Sequence, residues 1–167
     1  MDQSAFYGVV SAINFTLLGL WWIAVKDWVD AVGGTASARR TAYLVSLQFV
    51  IPGTVSLLAQ VAPDVPVVWR TAFAGAGAIG AVGVVMLAGE LRRISDARIA
   101  PTLFVLFGVP VYVAVALVAA LPGLGPSLPG NFTHIQIEEL LVTMLVFLGT
   151  QEAWVVRLPA TPRQPTS

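Results

Sequence analysis

The sequence predicts an all-α polytopic membrane protein, a bundle of five transmembrane helices with the N-terminus outside and the C-terminus in the cytoplasm. Three observations lead there. Of the 167 residues, 57% are hydrophobic and only 11% charged, with a mean hydropathy of +0.83, whereas a water-facing domain is about one quarter charged. Five stretches, 5–25, 41–62, 67–91, 102–121 and 134–156, supply the ~20 apolar residues that a helix needs to cross hydrocarbon. The basic residues alternate by loop. Lys26, Arg39 and Arg40 follow span one, Arg92, Arg93 and Arg98 follow span three, and Arg157 and Arg163 follow span five. Only Arg70 falls on the other side, so eight of nine basic residues lie where the positive-inside rule places the cytoplasm.

The composition also excludes function classes. Net charge is zero and no basic tract exists, which removes the electrostatic basis for binding nucleic acid. Cysteine is absent and histidine occurs once, so disulfides, thiolate sites and a metal centre of ordinary composition are not expected. No nucleophile or metalloprotease motif is present, and no catalytic residue, cofactor or enzyme activity is expected. The N-terminus lacks a basic run before its apolar stretch, so span one reads as a retained helix rather than a signal peptide. Residues 1–158 read as one transmembrane domain and the Pro- and Thr-rich residues 159–167 as a disordered cytoplasmic tail. The lipid bilayer is the first partner expected, and the plasma (inner) membrane the location.

Span one carries Ser4, Tyr7, Ser11 and Asn14 on one helical face, at spacings of three, four and three. Trp21, Trp22 and Trp28 stand near its inner end, Trp154 near the inner end of span five and Trp69 at the outer start of span three, all belt positions for an amphipathic ring. Span two carries Gln48, then Pro52-Gly53, then Ser56 and Gln60; its proline removes a backbone donor and predicts a kink.

Span three is rich in small residues. Ala72, Ala76 and Gly80 recur every four positions, as do Gly77 and Ala81, which suits close helix packing. Gly75, Gly77 and Gly80 also spell G-x-G-x-x-G, but they lie inside an apolar span with no strand before them, so no dinucleotide site is read from them. Span four is apolar all round, contains Pro110, and is expected to face lipid. The uncharged turn residues 122–131 precede span five, where Thr133-x-x-Gln136 fits a capping box.

Span five carries the candidate chemistry. Gln136, Glu139, Thr143, Thr150 and Gln151 fall within about 120° of one another, with Glu138 and Glu152 on the opposite side. Such a stripe is expected to face helices or water, since polar groups facing lipid lack partners. Glu139, Gln136 and Thr143, with Asn14 of span one and Gln48 of span two, are the candidate lining of a pathway or ion-binding site. Arg70, His134 and Glu138 are the candidate charge-tuning groups of its outer rim, and Ala72, Ala76 and Gly80 the candidate packing seam. A plainer reading competes with this one. Glu138 and Glu139 complement the start of a helix and pair with Arg70, Glu152 reaches toward Arg157, Glu90 pairs with Arg93, and Asn14 and Gln48 join helices.

Two functions follow. One is a small channel or transporter for an ion or small solute, with a pathway lined by helices one, two and five. The other is a non-conducting binding or assembly protein, an accessory subunit of a larger membrane complex. A homo-oligomer or a larger complex is expected in either case, because it would bury polar stripes that five helices alone enclose poorly.

Overall fold

The computed structural model describes residues 3–61, 65–94, 99–121 and 133–157, with the backbone alone for Pro66, Ile94, His134 and Ile135. Among these residues the secondary structure is all helical, and five helices are long and apolar enough to cross a membrane. They are α1 (Gln3–Ala31), α2 (Ala36–Val61), α3 (Pro66–Ile94), a composite rod, and α6 (His134–Arg157). The rod joins α4 (Ile99–Leu103), a π-helical segment (Phe104–Gly108) and α5 (Val109–Ala120). The expected loop 122–131 and tail 159–167 lie outside the described residues.

α1 and α2 run past the apolar stretches that marked them, because backbone hydrogen bonding continues into their polar ends. The chain turns between them on Gly33 and Gly34, at φ values of 80° and 60° that glycine adopts without steric cost. Gly34 N–H closes the end of α1 on the Val29 carbonyl at 2.8 Å, and the Thr35 hydroxyl accepts from Ala38 N–H at 3.1 Å to start α2. At the other end of the bundle the capping box forms as its residues predict. Thr133 N–H donates to Gln136 Oε1 at 3.0 Å, and Gln136 N–H to Thr133 Oγ1 at 3.3 Å.

The centre of the bundle is α2, which packs against α1, α3 and α6. Over its membrane-length stretch 56% of α2 is buried, against 28% for α1 and 33% for the composite rod. Span four therefore does not stand apart on the lipid side as expected: α5 makes one of the two broadest contacts in the molecule, with α3. Small residues on α3 are the reason. A Cβ on Gly77 would come within 2.6 Å of the Tyr112 carbonyl, and one on Gly80 would collide with the Tyr112 ring. Gly80 thus belongs to the seam as predicted, Gly77 shares it, and Ala72 and Ala76 sit half-buried at its flank. Pro110 accounts for the π segment. It has no N–H for the Leu106 carbonyl and its ring crowds that carbonyl, so the helix widens just before it.

Pro52 likewise frees the Gln48 carbonyl inside α2, and α6 closes on that point. A Cβ on Gly149 would lie 3.3 Å from Gln48 O, so glycine lets the two backbones approach. Trp21 corrects another expectation. It is 4% exposed and donates from Nε1 to the Ala42 carbonyl at 3.0 Å, tying α1 to α2 instead of marking the interface. Trp22 and Trp154 are exposed, as belt residues would be.

Lys26, Arg39, Arg40, Arg92, Arg93 and Arg157 gather at one end of the bundle, and Arg70 at the other. The expected Glu90–Arg93 pair forms at 3.4 Å and is joined by two groups from α2. Arg40 reaches the Glu90 carboxylate at 3.2 Å, and the Ser37 hydroxyl donates to it at 2.6 Å.

Candidate functional site

The polar stripe of α6 faces away from the bundle, the reverse of what its polarity suggested. Gln136, Thr143 and Gln151 are exposed and Glu139 and Thr150 half-exposed, among Leu140, Met144, Phe147 and Trp154 on the same outward side. The buried face of α6 holds Glu138, Val142, Leu145, Gly149, Glu152 and Val156. Local hydrogen bonds explain how the stripe can look outward. Thr143 donates to the Glu139 carbonyl at 2.8 Å and Thr150 to the Phe147 carbonyl at 2.6 Å, while Gln136 is engaged in the capping box. These groups need no neighbouring helix to be satisfied. Glu139 and Gln151 remain as the polar side chains that the outward face presents.

Helices α1 and α2 do turn their polar groups inward. Tyr7, Ser11 and Asn14 are buried, and Asn14 donates to the Val10 carbonyl at 2.9 Å while its Cβ abuts Gly53. Gln48, 2% exposed, accepts from the Tyr112 hydroxyl at 2.5 Å. This pair joins α2 to the span expected to face lipid. Of the five candidate lining residues, then, Asn14 and Gln48 lie in the core and Glu139, Gln136 and Thr143 on the outside, so the structure does not bring them together. A groove of about 490 Å³ opens between α1 and α2 at the basic end, beside Trp22, Lys26, Arg39 and Tyr43, and none of the five lines it.

The outer-rim group is partly assembled. Glu138 is buried, hydrogen-bonds Tyr7 of α1 and lies within electrostatic range of Arg70 of α3, so one carboxyl joins three helices. Arg70 also leans on the ring of Trp69, 5.3 Å from its centroid. The side chain of His134 lies outside the described residues.

Glu152 is the residue that sequence reasoning misplaced. It does not reach Arg157, which instead donates to the Ala24 carbonyl of α1. It is 1% exposed, and neither of its oxygens has a hydrogen-bond partner. A signal for this was present: Glu138, Val142, Leu145, Gly149, Glu152 and Val156 follow the four-and-three spacing of a packed helix face. Comparison with known proteins finds no family model, curated relative or solved structure that matches the chain.

Proposed function

We infer that this is a non-catalytic, non-conducting assembly or binding protein of the membrane, which docks a transmembrane helix of a partner on the outward face of α6. Five membrane-length helices support a small membrane protein. The observation that carries the finer reading is the outward stripe, which sets Glu139 and Gln151 on a surface otherwise made for lipid. Polar side chains at membrane depth are stabilised by polar or small groups of an adjacent helix, and a lipid tail offers neither. Within the bundle, by contrast, the polar groups of α1 and α2 are buried between packed helices, where Asn14 bonds back to its own helix and Gln48 accepts from Tyr112 of α5.

The absence of cysteine makes the test direct. Single cysteines replacing Thr143 or Gln151 should be captured by a membrane-permeant bifunctional maleimide in native membranes, giving one discrete adduct. Cysteines at Ile79 or Val82, on the exposed side of α3, should give none. Equal capture from both faces, or none from α6, would overturn the docking reading. Ion and proton flux from liposomes provides the opposing arm. Flux in the wild type that Glu139→Gln abolishes would restore the pathway reading.

A further inference from the structure

Glu152 is the most deeply buried carboxyl among the described residues, and its two oxygens lack donors. Its level in the bundle follows from its neighbours. Gly149 meets Gln48, and α6 runs antiparallel to α2, so Glu152 lies ~4.5 Å nearer the basic end, between the levels of Gln48 and Thr41. From α5 the Tyr112 hydroxyl lies within electrostatic range of it but is committed to Gln48. From α2 comes Thr41, 0% exposed, whose hydroxyl also lacks a partner. α6 also packs on α1 and on the π segment, whose buried Trp21, Val25 and Phe104 do not titrate. Cations at the basic end are engaged elsewhere: Arg157 by the Ala24 carbonyl, Arg40 and Arg93 by Glu90.

A bare carboxylate in these surroundings has no hydrogen bond and no countercharge to hold it. A metal or alkali cation would need several oxygens to replace its hydration shell, and no group of three His, Cys, Asp or Glu gathers among the described residues. A proton needs no other ligand. We propose that Glu152 is a proton-binding site, loaded from the basic end along the face of α2 that carries Ser37 and Thr41. Ser37, Thr41 and Gln48 fall within about 40° on that helix, and Ser37 is held by the Glu90 carboxylate, where the line meets the charged end. Uptake of the proton leaves a neutral carboxyl between α2, α5 and α6. Its release leaves a negative charge there, which loosens the seat of α6. This site is independent of what the outward face of α6 docks.

Infrared spectroscopy of the full-length protein in liposomes tests it. The wild type should show a carboxylic-acid carbonyl band that shifts in D2O, fades as pH rises through the range in which the protein stays folded, and is missing from Glu152→Gln. A hydrophobic carbodiimide keeps the test decisive should that variant fail to fold. The reagent takes the carboxyl proton on nitrogen, the carboxylate oxygen adds to its central carbon, and the product rearranges to a stable N-acylurea. That adduct should appear at Glu152 in the wild type by peptide mass spectrometry, less of it at higher pH, with the yield unchanged by sodium or potassium. No such band and no adduct, a signal constant across pH, or protection by either cation would each overturn the proposal.

Discussion

The Gln48–Tyr112 bond shows how single residues hold this molecule. Helices α2 and α5 are fastened by one hydroxyl and one amide at 2.5 Å. Interhelical hydrogen bonds of this kind contribute about 1 kcal/mol each. Tyr112→Phe should cost that much, read by detergent unfolding followed with circular dichroism. Gln48→Leu combined with Tyr112→Phe should cost less than the sum of the two single changes, since each single change strands the other partner. Glu152 predicts the opposite sign. A buried carboxyl without donors is a liability of roughly 1–3 kcal/mol, so Glu152→Leu should raise the melting temperature. A fall would show that the carboxyl contributes to the fold instead.

Among the elements, α6 teaches most about reading a sequence. Its length, its cap and its apolar character are legible in the chain, and the structure agrees with each. Its inward face was not legible from polarity, because Thr143 and Thr150 satisfy their own hydroxyls on the helix and so carry no information about neighbours. The spacing of Val142, Leu145, Gly149 and Val156 does carry it, since interhelical packing depends on shape at every turn. The same logic separates the glycines of α3. Gly80→Val would drive a side chain into Tyr112 and should lose the folded protein or several degrees of melting temperature; overpacking of this kind costs ~1–3 kcal/mol and more when backbone must move. Gly75 and Gly89, with nothing within 4 Å, are on the same helix. Gly75→Ala should be neutral or gain up to about 1 kcal/mol through helix propensity. Counting small residues finds the helix that packs closely. It does not say which of them make contact, because that depends on the partner, and the partner here is the helix read as lipid-facing.

For the whole molecule, the alternation of basic residues translates into a bundle with one basic end, and the described cations fall where the counting puts them. Five separate apolar runs were enough for that, since each run had to become a helix to satisfy its own backbone. What the runs could not reveal is that α2 is central, because a helix with an internal proline, Gln48 and Ser56 looks no more buried in sequence than its neighbours. The orientation itself is open to direct measurement. A cysteine replacing Gly34, in the turn after α1, should resist an impermeant maleimide added to intact cells, and one replacing Val65, before α3, should react. The reverse pattern would place the basic end outside.

The π segment before Pro110 sets the phase of the rod that contains it. At ~100° per residue, eight α-helical residues would turn Phe104 and Tyr112 about 80° apart. The wider turn between them takes up that difference, and Phe104, Gly108, Tyr112, Val115 and Ala119 all point into the bundle. It behaves as one inserted residue whose phase error has been absorbed. Deleting a single residue between Phe104 and Gly108 would leave Phe104 and Tyr112 seven residues apart, about 20° by regular α-helical turning, so Tyr112 should still face Gln48 and the glycines of α3, whereas inserting a further residue there should swing it off them. At this point the chain carries one residue more than a regular helix needs, and a one-residue gap here should be tolerated better than a one-residue insertion.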